Sequence, residues 1–277
     1  MSPEPTFSIL IPTHNRPALL AEATGSVRQQ RFADFECIIV DDGSSIPAQV
    51  PSDDRFRIVR RDDAGGPAAA VNAGLREARG RFVLRLDDDD LLAPDRLDIA
   101  LEGLQRAPIA LCWARYLDAA PTAQRNYEGL VGDTILDHVT PHMGAAAVRR
   151  NLFAPLDESY AASEDVEWWL RMAQQVPVTT VSRFGYFIRR HDEVRGRHGV
   201  QARADGSRRM LHEHEDYFEA HPKAAALRWK RIGLNEMELA NRPAARAAFG
   251  RSLRARPSLR TVKHLLRASV PGRPGPA

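Results

Sequence analysis

The sequence predicts an α/β domain with a mostly parallel central sheet flanked by helices, followed by a C-terminal helical extension. Short apolar runs alternate with helical patterns through the first half of the chain, which is typical of βαβ units. The pattern becomes mixed between about residues 126 and 190, and after residue 207 it is helical and polar. We therefore expect one domain over residues 1–206 and a helical extension over residues 207–277.

The predicted strands are short runs rich in branched or aromatic residues and bounded by Pro, Gly or Asp. They are Phe7–Ile11, Phe35–Val40, Arg81–Leu86, Ala110–Ala114 and, as a weaker fifth, Arg57–Arg60. The predicted helices start near Pro or a polar capping residue and carry an apolar face. They span Pro17–Gln30, Pro67–Ala78, Pro94–Arg106 and Ser163–Gln174.

The composition, with 43% hydrophobic and 27% charged residues, is that of an ordinary globular protein. No apolar stretch approaches the roughly 20 residues that a membrane span needs, and the N-terminus lacks the features of a signal peptide. Cys37 and Cys112 lie in predicted strands, so we expect buried free thiols in a reducing compartment. No dinucleotide-binding glycine motif, P-loop or zinc-ligand spacing occurs, and we expect no nucleic-acid partner.

The second half of the chain contains one charged segment and one helical hairpin. Residues 192–206 carry many charges and few apolar side chains, so we expect a mobile loop there. Lys223–Arg256 has the pattern of a hairpin broken near Asn241 and resembles a single tetratricopeptide-like unit. One such unit does not bury its own apolar face, which predicts packing on the main domain or on a partner. Residues 272–277 are expected to be disordered.

The C-terminal tail is basic. From Arg251 to Ala277 there are seven Lys or Arg residues and no Asp or Glu, which leaves 32 basic against 36 acidic groups in the first 250 residues. On a helix, an apolar stripe opposes these charges, with Leu259, Val262, Leu265, Leu266 and Val270 against Arg260, Lys263, His264 and Arg267. Such a helix is expected either to pack on its own domain or to rest on an anionic membrane surface.

Four consecutive aspartates, Asp87 to Asp90, follow the third clear strand. Neighbouring carboxylates repel one another and hard cations prefer carboxylate oxygen, so a divalent cation is one expected partner. The run also lies where ligands bind in open α/β sheets, beyond the carboxyl end of a strand. The alternative is a solvated turn whose last acids favour the N-terminus of the next helix.

Two other predicted strands also end in polar residues. The first ends in Pro12–Arg16 and leads into a helix, where backbone amides and the Arg16 side chain suit a phosphate. The second ends in Asp41–Ser45, whose carboxylates suit a nucleobase or a ribose hydroxyl, although an Asx-type turn is the alternative. We expect these ends and the four aspartates to share one edge of the sheet.

Together, four ordered motifs resemble those of family 2 glycosyltransferases. They are Ser8–Arg16, Ile38–Ser44, Asn72–Gly74 and Leu86–Asp90, and the resemblance covers roughly residues 6–190. It implies the GT-A fold, a Rossmann-like arrangement, and transfer of a sugar from a nucleotide-diphosphate donor with inversion. UDP is the family's commonest carrier, which favours a UDP-sugar donor.

The resemblance also implies roles for the matching residues. The nucleotide would contact Pro12, Thr13, Asn15, Arg16, Asp41, Asp42, Asn72, Asp87 and Asp88. Asp89 would bind Mn²⁺ or Mg²⁺, and His191 is a candidate second ligand whose alternative is a solvated basic loop. Val71 stands where the family often has Arg, so loop ordering is the alternative role of Asn72.

A further motif, Ser163-Glu164-Asp165, resembles the family's Glu-Asp motif, in which the Asp is the catalytic base of inverting members. Asp165 would then be the base, and Glu164 would support it or bind the acceptor. The alternative is that these acids complement the dipole of a helix in its first turn. The adjacent Trp168 and Trp169 are expected either in the core or against a sugar. His142 is expected as a structural histidine or near the acceptor.

The sequence therefore predicts a metal-dependent inverting glycosyltransferase that acts on a glycan or another hydroxyl acceptor in cell-surface or secreted glycan synthesis. Its expected location is the cytoplasm, with peripheral contact at the inner membrane surface through the basic tail. Two alternatives stay open. One is a catalytically inactive relative that binds a nucleotide or glycan, and the other is a nucleotidyltransferase, which also uses acidic residues and metal.

Overall fold

The computed structural model describes residues 4–117, 124–125, 130–137, 140–190 and 197–270. Contacts within the chain group these residues into two compact units. The first comprises the described residues within 1–135, 139–159 and 168–192, and the second comprises those within 136–138, 160–167 and 193–277. The disorder expected for residues 272–277 concerns positions outside the described residues.

A mixed sheet forms the centre of the first unit. Its strands are β1 (Phe7–Thr13), β2 (Phe35–Asp42), β3 (Phe56–Arg61), β4 (Phe82–Arg85), β5 (Leu91–Leu92), β6 (Ile109–Tyr116), β7 (Gln124–Arg125), β8 (Leu130–Val131), β9 (Ala146–Arg149) and β10 (Val178–Ile188). They follow the order β3-β2-β1-β4-β9-β6-β10-β5, with β7 beside β6 and β8 beside β10. The strands from β3 to β4 are parallel, whereas β9 runs antiparallel to β4 and β6.

This architecture confirms the predicted α/β fold class. The four clear strand predictions correspond to β1, β2, β4 and β6, and the weaker fifth corresponds to β3. Strands β1 and β2 are buried along almost their whole length. A strand inside a parallel sheet is covered on both faces, which explains why these runs are continuously apolar rather than alternating. Cys37 of β2 and Cys112 of β6 are buried and free as expected, and burial raises the pKa of each thiol.

Three helices pack on the strands of the first unit: α1 (Pro17–Arg28), α2 (Gly66–Glu77) and α3 (Arg96–Leu104). Helices α1 and α2 carry Pro in their first turn, where its missing N–H leaves no hydrogen bond unmade. Small residues let α2 approach the sheet closely. A Cβ atom at Gly74 would lie 2.9 Å from Val40 Cγ2, so the contact tolerates no larger side chain.

Helix α4 (Glu164–Gln175) confirms the predicted helix in the mixed region. It starts in the second unit and continues into the first at Trp168. The rings of Trp168 and Trp169 are fully buried and lie edge to face, with centroids 4.9 Å apart. Trp168 Nε1 donates a hydrogen bond to the carbonyl oxygen of Ala154 at 2.8 Å. Both tryptophans are therefore core residues, and the interpretation that one stacks on a sugar is wrong.

The second unit is helical. After α4 it contains α5 (Arg197–Glu213), α6 (Glu215–Ala220), α7 (Pro222–Glu238), α8 (Arg242–Ala255) and α9 (Leu259–Ser269). Helix α5 shows that the mobile loop expected over residues 192–206 is wrong from residue 197 onward. Its buried face is made of Val200, Ala204, Ser207 and Met210, whose helical spacing is regular but whose small side chains give a weak apolar signal. The predicted domain division after residue 206 falls inside α5, and the two compact units divide the chain differently.

The helical hairpin predicted over residues 223–256 is confirmed by α7 and α8. It breaks at Ala240, which has φ +60°, and the Asn241 side chain then caps α8 by accepting from Ala244 N at 3.4 Å. A Cβ atom at Gly233 would lie 2.5 Å from the Phe249 ring, so glycine permits the close helix contact. Ala268 of α9 completes the apolar cluster around Phe249. Within the described residues, no helix is both long enough and apolar enough to cross a membrane.

Candidate active site at the sheet edge

The carboxyl ends of β1, β2 and β4 meet at one edge of the sheet, as the sequence predicts. Thr13, at the end of β1, pairs in register with Asp41 of β2, and β4 lies on the other side of β1. The four aspartates follow β4 directly and alternate in burial. Asp88 and Asp90 are 5% and 2% exposed, whereas Asp87 and Asp89 are half-buried. The run is therefore a fixed turn at the sheet edge rather than a freely solvated one.

Asp88 ties this turn to the end of β1. Thr13 Oγ1 donates to Asp88 Oδ2 at 2.7 Å, and Arg16 Nη1 lies 3.1 Å from Asp88 Oδ1. The same Arg16 nitrogen lies 3.0 Å from Asp89 Oδ2, so one guanidinium bridges both carboxylates. Burial raises the pKa of Asp88, and the contacts with Thr13 and Arg16 oppose that rise without cancelling it.

A second cluster gathers Asp87, Asp90 and His142. His142 Nε2 lies 3.7 Å from Asp87 Oδ2 and 3.8 Å from Asp90 Oδ2, and one ligand atom from each residue lies within 4.8 Å of the others. Tyr186 stands behind the cluster. Its hydroxyl donates to Asp90 Oδ2 at 2.7 Å, and its ring lies against that of His142 with centroids 5.0 Å apart.

The two carboxylates of this cluster titrate apart. Burial and the negative charge of Asp87 raise the pKa of Asp90 to about 8. Burial also acts on Asp87, but Arg85 and His142 outweigh it and lower the pKa of Asp87. Arg85 Nε donates to Asp87 Oδ1 at 2.6 Å, which fixes that side chain. The raised pKa of Asp90 thus reflects its burial beside a second carboxylate.

The donor set fits a divalent cation. Two carboxylates and an imidazole converge, and a bound cation would offset the repulsion between the Asp87 and Asp90 carboxylates that raises the pKa of Asp90. Sequence reasoning placed the metal on Asp89, and the structure places Asp89 beside Arg16. His191 lies outside the described residues. The metal roles of Asp89 and His191 therefore stay predictions.

The end of β2 is held by its own turn. Asp41 is fully buried and accepts from Ser44 N and Ala48 N, both at 2.9 Å, and from Arg60 Nη1 at 2.6 Å. Although burial opposes them, these contacts lower the pKa of Asp41. The carboxylate of Asp42 accepts from Gly65 N and Gly66 N at the start of α2, the closer at 2.8 Å.

Gly43, between these aspartates and the serines that follow, has φ +71°. A Cβ atom there would also lie 2.7 Å from Ala64 N, so both the conformation and the space require glycine.

Asn15 connects the first two strand ends. It has φ +55°, and its side-chain oxygen accepts from Ser45 N at 2.8 Å and from Ser45 Oγ at 2.9 Å. Its backbone N donates to Ser44 Oγ at 2.9 Å. Pro12, half-buried, precedes Thr13 in β1. The structure thus brings together the polar residues that were predicted at the ends of β1 and β2. Their contacts with a nucleotide stay predictions.

Asn72 lies in α2 with its carboxamide fully engaged. It donates to Leu156 O at 2.9 Å and to Glu158 Oε1 at 2.8 Å, and it accepts from Leu156 N at 2.9 Å. These bonds order the chain around residue 156. They correspond to the loop-ordering role, whereas a nucleotide contact by Asn72 stays a prediction.

Glu164 and Asp165 occupy the first turn of α4 within the second unit. Asp165 is half-buried, and its Oδ1 accepts from Val166 N at 2.9 Å. Arg228 of α7 belongs to the same unit. Burial lowers the pKa of Arg228 to about 10, while the negative charge of Asp165 opposes that shift. Asp165 in the acidic first turn of α4 thus interacts electrostatically with the half-buried Arg228, and the catalytic role of the acids in this turn stays a prediction.

Sequence reasoning missed the partners that shape the acidic turn. His142 was weighed as structural or acceptor-facing and not as a neighbour of Asp87 and Asp90. Tyr186 and Arg189 were not predicted as site residues. Arg189 N donates to Asp90 Oδ1 at 2.8 Å, nearly a hundred residues away in sequence. No local pattern encodes such a contact, because the register of β10 against its neighbours decides it.

Comparison with solved structures supports the fold. The chain matches Staphylococcus aureus TarS 1-349 in complex with UDP-GlcNAc with a TM-score of 0.64 at 17% identity, covering 94% of this chain and 84% of that chain. It matches the mannosyltransferase PcManGT from Pyrobaculum calidifontis, in complex with GDP-Man and Mn²⁺, with a TM-score of 0.55 at 19% identity, covering 97% and 80%. The fold is therefore of the GT-A class.

Comparison with sequences gives a family match over part of the chain. Residues 8–140 match the family model described as Glycosyl transferase family 2. Through these residues, which make up just under half of the chain, it is similar to glycosyl transferase family 2.

Two curated relatives carry specific names. One is the Escherichia coli UDP-Glc:alpha-D-GlcNAc-diphosphoundecaprenol beta-1,3-glucosyltransferase WfgD, 29% identical over 39% of this chain and 45% of that protein. The other is the Campylobacter jejuni GalNAc(5)-diNAcBac-PP-undecaprenol beta-1,3-glucosyltransferase, 36% identical over 35% of this chain and 34% of that protein.

A third relative, the uncharacterized protein y4gI of Sinorhizobium fredii, is 36% identical over 38% of this chain and 12% of that protein. In each of these three relatives the match spans less than half of the protein's length.

Proposed function

We propose that this chain is an inverting glycosyltransferase that moves a sugar from a nucleotide-diphosphate donor to a hydroxyl acceptor. One observation carries the proposal. In the region that matches the family 2 model, the acidic turn after β4 lies beside the Thr13–Arg16 segment at the end of β1, at the sheet edge where α/β proteins bind ligands. The relatives named as glucosyltransferases support it.

The residues at this edge have complementary tasks in the proposal. Arg16 turns from its carboxylates toward the donor diphosphate, where a guanidinium makes charge-assisted hydrogen bonds. Pro12, Thr13 and Asn15 line the nucleotide, and Asp41 and Asp42 hold the turn that receives the base. Asp87 and Asp88 face the ribose. Asn72 fixes the chain at residue 156 through hydrogen bonds to Leu156.

A divalent cation, Mn²⁺ or Mg²⁺, is part of the proposal. When bound, it supplies Lewis-acid neutralisation of the charge that develops on the departing diphosphate. Asp89 would hold it, with His191 as a predicted further ligand. The adjoining side chains of Asp87, Asp90 and His142 form a second set of candidate ligands. The raised pKa of Asp90 and the Mn²⁺ named for the PcManGT complex support a cation here.

Asp165 is the proposed catalytic base. It would accept the proton of the acceptor hydroxyl as that oxygen attacks the anomeric carbon. A single displacement of this kind breaks the bond from the anomeric carbon to the diphosphate oxygen on the opposite face, so the anomeric configuration inverts. Glu164 would support Asp165 or bind the acceptor.

The donor and acceptor classes are finer proposals. We favour a UDP-sugar, because the TarS complex contains UDP-GlcNAc and the WfgD name specifies UDP-Glc. Both named relatives act on sugars linked to undecaprenol through a diphosphate. We therefore propose that the acceptor is a glycan or a lipid-linked hydroxyl in cell-surface or secreted glycan synthesis. The chain would meet this acceptor on the cytoplasmic side of a membrane.

The test is turnover of a nucleotide-sugar panel with Mn²⁺, measured as release of the nucleoside diphosphate that depends on an added acceptor. Asp165→Asn should lower kcat by about 10²- to 10⁴-fold, the usual contribution of a general base. Asp216→Asn is the matched control, since Asp216 is exposed in the first turn of α6.

If Asp165→Asn keeps the kcat of the wild type, Asp165 is not the catalytic base. Metal-dependent nucleotide binding without turnover on any donor would favour an inactive binding relative instead. Release of pyrophosphate from a nucleoside triphosphate would select a nucleotidyltransferase.

A further inference from the structure

Helix α9 exposes an apolar stripe. Leu259, Val262 and Leu266 are 85%, 38% and 61% exposed, and Val270 at the C-cap is 62% exposed. The first three have the spacing i, i+3 and i+7, which places them on one face of the helix. Among the described residues, seven large hydrophobic side chains are exposed, and four of them lie within these twelve positions. The exposure is therefore concentrated rather than scattered.

The opposite face of α9 fixes the helix to its own unit. Thr261 and Ala268 are buried, and the His264 ring stacks on Phe249 of α8 with centroids 5.6 Å apart. Arg246 Nη1 of α8 donates to the carbonyl oxygen of Ala268 at 3.3 Å, at the end of α9 where such carbonyls lack helical partners. These contacts hold α9 in place and leave the apolar stripe pointing away from α8.

Basic residues flank the stripe on one side. Arg260, Lys263 and Arg267 are all exposed and adjoin the leucines on the helix surface. No Asp or Glu follows Glu238 in the sequence, whereas nine Lys or Arg residues do, so nearby acids do not balance these charges. Burial and the positive charge of Arg260 lower the pKa of Lys230 on α7, because Lys230 lies near the basic residues of α9.

We propose that the exposed face of α9 docks on an anionic lipid bilayer. The helix would lie in the plane of the interface, with the stripe in the boundary between head groups and acyl chains and the cations beside lipid phosphates. The one-signed charge favours this occupant over a second copy of the chain, because two such faces would repel each other. The proposal rests on α9 and its cations alone and does not depend on the proposed function.

The test is co-sedimentation of the full chain with phosphatidylcholine vesicles and with vesicles that also contain phosphatidylglycerol. Wild type should bind the anionic vesicles and lose binding as salt rises. The triple variant R260Q/K263Q/R267Q should lower the partition coefficient about fivefold for each charge removed, or about a hundredfold in total. Arg76→Gln is its control, because Arg76 is exposed on α2 of the other unit.

A second variant tests the apolar stripe. L259N/L266N should lower binding to anionic vesicles about tenfold or more, since both leucines would lose their contact with the acyl region. Ile46→Asn is the matched control, because Ile46 is 76% exposed in the other unit. The thermal unfolding midpoint should be unchanged in all variants, because every substituted side chain is exposed.

Equal sedimentation with neutral and anionic vesicles, or unchanged binding in both α9 variants, would overturn the proposal. The proposal would also be overturned if light scattering shows a wild-type dimer that does not bind vesicles and that dissociates in L259N/L266N. In that case a second copy of the chain is the occupant. Loss of binding in the α9 variants with unchanged sugar transfer to a soluble acceptor would separate this surface from the proposed active site.

Discussion

Replacing Arg16 by Ala is expected to change metal binding in opposite directions depending on whether nucleotide is present. In the structure, one nitrogen of Arg16 neutralises both Asp88 and Asp89. Without nucleotide, this guanidinium neutralises the proposed metal ligand Asp89 and its neighbour Asp88, so its removal should strengthen Mn²⁺ binding. With a nucleoside diphosphate, the same residue is proposed to contact the phosphates, so its removal should weaken the ternary complex.

The magnitude follows from the exposure of the pairs. The Arg16 side chain is 50% exposed, and those of Asp88 and Asp89 are 7% and 17% exposed. Ion pairs open to solvent contribute about 0.2–1 kcal/mol each, so two pairs give about 0.4–2 kcal/mol. Mn²⁺ affinity in Arg16→Ala should therefore rise about 2- to 30-fold. Loss of a hydrogen bond to charged phosphate should weaken UDP binding by about 1.5–3 kcal/mol.

The assay is isothermal titration calorimetry, in which MnCl₂ is added to the protein at 0.15 M salt with and without saturating UDP. Arg28→Ala is the control, because Arg28 is an exposed arginine at the far end of α1. Equal or weaker Mn²⁺ binding by Arg16→Ala without nucleotide would refute this effect of neutralisation. Unchanged UDP affinity would refute the proposed phosphate contact and leave the effect of neutralisation intact.

The remaining predictions concern the same turn and its supports. Gly144→Ala should lower the free energy of unfolding by about 1–3 kcal/mol in urea titrations, because the new Cβ would lie 2.2 Å from the Tyr186 ring. Gly25→Ala, in α1 with nothing within 4 Å, should instead raise it by about 0.5–1 kcal/mol, and a decrease would contradict the packing described. With a chelator present to remove metal, the free energy of unfolding of the wild-type chain should fall as the pH rises from about 4 to about 8. The folded state keeps the Asp90 proton over this range, whereas the unfolded chain releases it. Asp90→Asn should flatten that fall, and a parallel pH profile in the variant would count against a raised pKa.

The fold was largely predictable because its strands are locally encoded. β1 and β2 are continuous apolar runs that end in polar residues, and a buried parallel strand requires that pattern. The edge that carries Thr13, Asp41 and the aspartates followed from the common direction of these strands. Local periodicity was weaker for α5, where Ala204 and Ser207 supply the buried face in place of large apolar residues.

The interior of the site was less predictable. The contact of His142 with Asp87 and Asp90, and that of Tyr186 with Asp90, join segments far apart in sequence. They depend on where β9 and β10 enter the sheet, and several strand orders are compatible with the same local patterns. Burial of Trp168 and Trp169 depends on the same tertiary arrangement.

The buried state of Cys37 and Cys112 has a consequence for experiments on the intact chain. Alkylating dyes react with exposed thiolates, and both native thiols are enclosed and have raised pKa values. A cysteine introduced at Leu259, which is 85% exposed, would then be the reactive position in the folded protein. An environment-sensitive fluorophore attached there would report whether α9 moves from water into lipid, with both native cysteines left in place.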